Sequence, residues 1–535
     1  MTETFTRQVQ ELWRFLQQEI FSQPFTLQSV WDWLGGLLQK GMSFNSLAFL
    51  LFFPLCVLLY YVLPKAVRNL WLLVCSYFFY YFATVSGGRA HPAALAVLAL
   101  LTLATYLLAF ALDRRAARRP RRLLLAAGVL ANIGMLVYVK YTSFFASLLN
   151  GWFGWSLKAA PGLSPVWMIG LSFYTLMAVG YLVDVYRGVS PAEKSPVKCA
   201  LFLSFFPQVV SGPISRSGNL MHQMNRVHRY DYALVNQGLR QMLWGYFKKL
   251  VVSENAAAIL KLAFASPGSY NGFQLLVSAL LYAVQLYADF SGYSDIALGA
   301  ARCLGFKLPD NFRRPYGARS IGEFWDRWHI SLSSWLRDYL YIPLGGSRRG
   351  VARTCANTLI VFLVSGLWHG AGLTFLVWGG LHGLYNVVSR LTKPLRLAVN
   401  RLTRLNRCKK LHHFLQRAMT FCMVAFAWIF FRADSLDQAL LFISRLPLRL
   451  GQTLLSWTAI NRALAGIGFY ANNGVALLCA ILLMFAAEAM ERRRPLAETV
   501  GRQPFLLRWA GYYALLLGIL FFGVFSATPF IYGQF

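Results

Sequence analysis

Two histidines stand in a stretch of chain that carries no charge. Thr354 to Ser389 contains no Lys, Arg, Asp or Glu, yet it holds His369 and His382. The run is too long for one membrane helix, which takes about 20 residues to cross the hydrocarbon. It is punctuated near its middle by Trp368-His369-Gly370-Ala371-Gly372. Non-helical backbone at membrane depth survives only where protein or a water-lined cavity satisfies it, and an ionisable side chain there marks function by default. The chemistry open to a buried imidazole is proton transfer: it can take a proton from a hydroxyl as that hydroxyl attacks an acyl carbonyl. His369 is therefore the expected general base. Peptide N–H groups around Gly370 and Gly372 could help to hold an oxyanion. His382, in the helix after the break, is a candidate to face the same cavity.

The preceding segment carries another histidine. Over Glu323 to Tyr341, helical spacing places Trp325, Trp328, Leu332, Trp335, Leu336, Tyr339 and Leu340 on one side and Asp326, Arg327, Ser331, Ser333, Ser334, Arg337 and Asp338 on the other. His329 falls within the apolar stripe. This pattern predicts one amphipathic helix lying flat at the membrane interface with a single histidine pointing inward. A lone histidine of that kind is commonly just bonded to a backbone carbonyl. Two inward histidines on adjacent segments, joined by the loop 343–350, favour chemistry, with His329 orienting an acceptor or stabilising a developing oxyanion. Trp325, Arg327, Trp328 and Trp368 are candidate substrate-orienting neighbours.

Acidic groups inside apolar windows are few. Asp289-Phe-Ser-Gly-Tyr-Ser-Asp295 places two carboxylates, two serines and a glycine within one span. Asp289, Ser291, Tyr293 and Asp295 fit equally well a structural polar knot or a set that orients a histidine or a polar acceptor. Asp184 lies near the end of its span, where reaching out to water is the cheaper explanation.

The elements that would position these groups are membrane helices. Of the 535 residues 57% are hydrophobic and 13% charged, and the mean hydropathy is +0.48. Long apolar windows recur throughout, predicting an all-α polytopic membrane protein with roughly 11–13 crossings plus re-entrant and interfacial pieces; the absence of ten-residue alternation argues against a β-barrel. The net charge of +32 would suggest nucleic acid in a soluble protein. Here the cations cluster between spans, at 113–122, 390–410 and 491–494, so no nucleic-acid partner is expected. The positive-inside rule puts those clusters in the cytoplasm and both Met42 and Phe535 outside. A further attraction of the clusters for anionic lipid or a polyphosphate-bearing donor is compatible with this. The eight cysteines show neither CxxC pairs nor zinc-finger spacing, so no disulfide framework or metal site is expected. Residues 1–41 lack the uninterrupted apolar core of a signal peptide. They read as an extension of two interfacial helices, one carrying Val9, Leu12, Trp13, Leu16 and Ile20, the other Trp31, Trp33, Leu34, Leu37 and Leu38. Residues 42–535 form the transmembrane domain, with the motif region at 285–390.

The motifs resemble a family. Phe324-Trp-Asp-Arg-Trp-His-Ile-Ser-Leu-Ser-Ser-Trp-Leu-Arg-Asp-Tyr-Leu-Tyr-Ile-Pro-Leu-Gly-Gly346 resembles the signature of the membrane-bound O-acyltransferases, most of all the bacterial branch containing the alginate O-acetyltransferases. Ser365-Gly-Leu-Trp-His-Gly-Ala371 resembles the second signature, whose histidine is the catalytic residue. Tyr287 to Ala297, Phe44 to Phe53 and Pro529 to Tyr532 fit the same branch. Asp326 departs from the pattern, on the polar face, where a basic residue or asparagine is usual. The resemblance implies a ring of tilted helices around a thinned centre, with funnels from both faces meeting near the histidine. It also implies acetyl-CoA as donor, no permanently bound cofactor or metal, and a periplasmic or extracellular partner that modifies an exported glycan. Direct attack by the acceptor and an acyl-histidine relay both fit; no serine sits in a nucleophile elbow. Three rivals stand beside acetyl transfer. D-alanyl transfer would need a carrier protein, and a transporter or flippase for a lipid-linked donor would also use broken helices. A membrane scaffold would tolerate loss of both histidines.

Overall fold

Uninterrupted apolar sequence can satisfy its backbone in lipid only as helix, and helix dominates the computed structural model. It describes residues 27–115, 117–157, 168–404, 407–491 and 496–525; the helix expected around Val9 to Ile20 and the motif at 529–532 lie outside them. Among the described residues there is no β-strand, only an isolated bridge between Ser86 and Arg89. Six helices among the described residues are long and apolar enough to span a membrane: Pro92–Arg114, Arg118–Phe153, Gly272–Cys303, Gly350–His369, Lys409–Arg432 and Phe505–Phe522. Leu47–Val62 is apolar but shorter. The second N-terminal helix is present as Leu27–Gln39.

The chain forms two compact units. The first comprises Met1–Val251, Gly292–Leu308 and Ala489–Gln534; the second comprises Val252–Ser291 and Pro309–Glu488, with the terminal Phe535. The helix Gly272–Cys303 runs through the polar segment 289–295 without a break. Its residues up to Ser291 belong to the second unit and those from Gly292 to the first.

Within the first unit this helix meets Tyr232–Tyr246 at closely spaced glycines. A Cβ on Gly245 would stand 2.6 Å from the Gly292 carbonyl oxygen, and one on Gly299 2.5 Å from that of Gly238. Small residues are what let helix backbones approach this closely. Beside the crossing, Asp295 pairs with Lys248 at 2.5 Å and accepts from Gln241 Nε2 at 3.0 Å. Asp184 does not reach water: it is buried and accepts a hydrogen bond from Ser217 Oγ at 3.1 Å.

In the second unit, Gly350–His369 and Leu373–Leu391 form an antiparallel hairpin around the turn 370–372. Glycines again set the spacing. A Cβ on Gly366 would lie 2.3 Å from the Phe375 carbonyl oxygen, and one on Gly379 2.3 Å from that of Phe362. Lys409–Arg432 packs across the hairpin through Trp428 and Phe431, whose rings lie 5.5 and 5.1 Å from Trp378.

The segment 323–341 differs from the single helix that periodicity predicts. Helix Ile321–Trp325 ends before His329, a new helix runs Ile330–Leu336, and the chain then widens into a π-turn at Arg337–Tyr341. The break sits on His329, whose φ of 44° and ψ of 51° are left-handed. For a residue with a Cβ that conformation costs about 1–3 kcal/mol and persists only where its surroundings impose it. Periodicity misses such a break because the apolar stripe continues in register on both sides of it.

Candidate active site

His369 is the last residue of its helix and is buried. Its Nδ1 lies 2.6 Å from the carbonyl oxygen of Ser365, one turn back. A carbonyl only accepts, so Nδ1 carries the proton, and in the neutral ring Nε2 is the basic nitrogen. Gly370 is extended and its N–H donates back to the Gly366 carbonyl at 3.3 Å. This commits a peptide group that sequence reasoning offered to an oxyanion. The turn stays compact because Gly370 has no side chain: a Cβ there would meet the Phe375 ring at 2.0 Å.

His329 is held by Asn311. Ser331 N–H, at 3.3 Å, and Ser331 Oγ, at 2.8 Å, both donate to Asn311 Oδ1, and His329 Nδ1 lies 3.1 Å from the same oxygen. A backbone N–H can only donate, so this atom is the amide oxygen and His329 also donates to it through Nδ1. The Asn311 carbonyl in turn accepts from Ile330 N–H at 3.0 Å. One fully buried asparagine thus satisfies the start of the new helix and imposes the left-handed turn. Burial, with the neighbouring His369 adding to it, pushes His329 well below the ordinary histidine range. The ring is neutral, with its lone pair at Nε2.

The break delivers the two rings to each other. Their centroids are 6.3 Å apart. Trp368 flanks both, at 4.9 Å from His369 and 5.9 Å from His329, and Phe290 closes on His329 at 4.7 Å.

His382 has the opposite polarity. Its Nδ1 accepts from the indole N–H of Trp325 at 3.3 Å. An indole only donates, so the His382 proton is on Nε2, which is buried without a partner among the described residues. Trp378 lies between the two histidines of the hairpin, its ring 4.8 Å from His369 and 5.2 Å from His382.

The remaining candidates scatter. Trp328 is fully buried, packed on Phe324 and Trp428 at 5.5 and 5.1 Å. Arg327 is partly exposed and pairs with Glu323; Asp326 is exposed. Asp289 and Ser291 are buried in the same unit as the histidines. Tyr293 and Asp295 belong to the other unit, Tyr293 against Phe44 at 4.7 Å and Asp295 in its ion pair with Lys248. Sequence reasoning overlooked Asn311, Trp378, Trp428 and Phe431. The three aromatics carry a weak signal as large rings inside uncharged helical runs. Asn311 carries none, since nothing in its loop marks it as a partner for a residue eighteen positions on.

Comparison with known proteins gives this cluster a context. The profile of the membrane-bound O-acyltransferase family matches residues 191–432, a stretch that contains all three histidines. A probable alginate O-acetylase of Pseudomonas putida is 37% identical over 407 residues, covering 74% of this chain and 79% of the relative. A peptidoglycan O-acetyltransferase of Helicobacter pylori is 34% identical over 435 residues, covering 75% and 78%. A teichoic acid D-alanyltransferase of Bacillus subtilis is 27% identical over 251 residues, covering 44% and 63%.

Proposed function

The chain belongs to the membrane-bound O-acyltransferase family, and from that premise we propose that it takes an acetyl group from acetyl-CoA on the cytoplasmic side for O-acetylation of an exported polysaccharide. It is a multi-pass membrane enzyme; residence in a bacterial inner membrane, with Met42 and Phe535 outside, is the orientation that its basic clusters favour. The observation that carries the mechanism is the Nδ1–H of His369 on the Ser365 carbonyl, which turns the basic Nε2 away from its own helix.

The acceptor hydroxyl gives its proton to His369 Nε2 while its oxygen bonds to the thioester carbonyl carbon. The tetrahedral oxyanion collapses, the C–S bond breaks, and the imidazolium returns the proton to the departing thiolate. Neutral His329, with Nε2 as acceptor, suits the alignment of the incoming hydroxyl better than the stabilisation of an oxyanion. The N–H that an oxyanion needs is offered by His382 Nε2, which, like Trp378 Nε1 beside His369, is buried and has no acceptor among the described residues. The surrounding indoles and phenyl rings keep water away from the thioester and strengthen every dipole aimed at the reaction. The polymer modified is set by a periplasmic or extracellular partner. The longer and closer matches to O-acetylating relatives support acetyl over D-alanyl transfer.

The test is transfer of labelled acetyl from acetyl-CoA into polymer or partner protein by membranes carrying wild type, His369→Ala or His329→Ala at equal protein level. Loss of general-base assistance should lower the rate of His369→Ala by about 10²–10⁴-fold. Equal labelling by all three membranes, above a protein-free control, would overturn the assignment. Transfer from a D-alanyl carrier protein in place of acetyl-CoA would move the donor reading.

A further inference from the structure

The chain that leaves the histidine hairpin does not go straight into the next span. It forms the helix Lys393–Leu402, none of whose residues is buried. At 100° per residue, Leu395, Ala398, Val399 and Leu402 share one face; Lys393, Arg396 and Asn400 lie opposite together with one leucine, Leu397, and Arg401 is at the edge. The apolar face is bare: Leu395 is 63%, Val399 44% and Leu402 82% exposed. Around it the charge is of one sign. Nine Lys and Arg occur between Arg390 and Arg417, and no Asp or Glu occurs from 390 to 433. Among the described residues none of these nine cations is paired with a carboxylate. Where the helix meets the start of the span Lys409–Arg432, a cavity of about 310 Å³ is lined by Leu397, Asn400, Arg401, Lys409, His412 and His413. Its far wall is fixed, because Arg319 Nη1 contacts His413 Nε2 at 3.2 Å and Arg319 N–H donates to Glu323 at 2.7 Å.

We propose that Lys393–Leu402 lies on the bilayer surface and that the Arg401–Lys409–His412 cavity holds the phosphate headgroup of an anionic phospholipid. Three features combine to identify that occupant. The helix sits between two membrane segments, so the interface is within reach without any change of fold. Its bare aliphatic face fits the boundary between headgroups and acyl chains, as surface-lying amphipathic helices do. The unneutralised cations and the cavity then face the one anion that such a surface supplies at high density. A soluble phosphate would satisfy the cavity and leave Leu395, Val399 and Leu402 in water.

The experiment is hydrogen exchange on the full-length protein in nanodiscs of phosphatidylcholine alone or with one third phosphatidylglycerol, following the peptide that covers residues 393–402. Phosphatidylglycerol should slow exchange there by ~10-fold. The protection should fade in about 1 M salt, where screening reaches a few ångströms, and with Arg396→Gln, Arg401→Gln and Lys409→Gln combined. Equal exchange in the two discs, fast or slow, overturns the proposal, and that comparison needs no variant to fold. Protection by inorganic phosphate in phosphatidylcholine discs, matching that from phosphatidylglycerol, would show a soluble-anion site and overturn it as well.

Discussion

Asn311 offers the sharpest test of how the site is built, because it touches one histidine and lies well apart from the other in sequence. Replacing it with Ala removes the acceptor of three donors: His329 Nδ1–H at 3.1 Å, Ser331 N–H at 3.3 Å and Ser331 Oγ–H at 2.8 Å. A buried donor left without an acceptor costs about 1–3 kcal/mol. The Ser331 hydroxyl can rotate to another partner, and water can enter the space left by the amide, so the net loss of stability should be about 2–4 kcal/mol. The kinetic effect comes through His329 alone. Freed from Asn311, its ring loses both the tautomer and the direction that put the Nε2 lone pair toward the acceptor. One such bond between neutral groups is worth about 0.5–1.5 kcal/mol, or roughly 2–13-fold in kcat/KM. The assay is acetyl transfer from labelled acetyl-CoA in membranes matched for folded protein, with KM for acetyl-CoA measured separately. A positioning role predicts a fall in kcat with little change in that KM. It also predicts that Asn311→Asp, which keeps the acceptor but charges it, drives His329 toward the imidazolium and shifts the pH–rate profile where Asn311→Ala does not. If Asn311→Ala acts within twofold of wild type (about 0.4 kcal/mol), or if Asn311→Asp leaves the pH–rate profile where Asn311→Ala leaves it, the tautomer argument fails.

The hairpin crossing should tolerate no side chain. Gly366→Ala or Gly379→Ala drives a Cβ against a carbonyl oxygen now 2.3 Å from its position, and should lower stability by about 1–3 kcal/mol; Gly380→Ala, whose Cβ meets its nearest atom at 3.8 Å, should leave the detergent melting temperature unchanged or slightly raised. Lys248→Met strands a largely buried carboxylate at Asp295 and should cost about 3–5 kcal/mol, most of it recovered when Asp295→Leu is added. Recovery absent from the double variant would show that the pair is not the unit of stability. His329 gives a pH dependence. Its folded value lies well below that of the unfolded chain, so the unfolded state binds the extra proton; stability is full above about pH 6.5 and falls as pH drops below it. Melting curves from pH 8 to pH 5 should therefore fall less steeply for His329→Gln than for wild type.

What the sequence made legible follows from which properties are periodic. Helical class, the break at Gly370 to Gly372 and the inward side of 323–341 are written in residue type at fixed spacing. Structural neighbours that depend on backbone angle or on long-range approach are not. Nothing in Trp328-His329-Ile330 announces a left-handed residue, since histidine has a Cβ and the stripe stays in phase across it. The polar run Asp289 to Asp295 reads equally as a polar knot or an orienting set, because carboxylates and glycine are poor company for a span. Gly292 instead serves the close crossing of two helices, and Asp295 is stabilised by Lys248, more than forty positions earlier. Residue type marked these positions as unusual, but only the partners show what each is for.

The three histidines also show why such a site can be assembled in a low-dielectric interior. A carboxylate behind an imidazole stabilises the charged ring before any substrate arrives, and a buried ion pair carries a desolvation cost of its own. The partners that set direction here, the Ser365 carbonyl, the Asn311 amide and the Trp325 indole, are uncharged. Each fixes which nitrogen bears the proton without favouring the imidazolium as strongly as a carboxylate would. Two rings therefore present a lone pair and one presents an N–H, the minimum set for accepting a proton at one atom while donating to an oxygen at another. Charge then appears only as the reaction proceeds, when the acceptor's proton is on His369 and the oxyanion is close by to balance it. Ser365→Asp leaves the backbone carbonyl contact in place but sets a carboxylate one turn before His369, and should accordingly raise the proton affinity of its ring. The acid limb of the pH–rate profile would move upward, and the ground-state base would be lost at neutral pH.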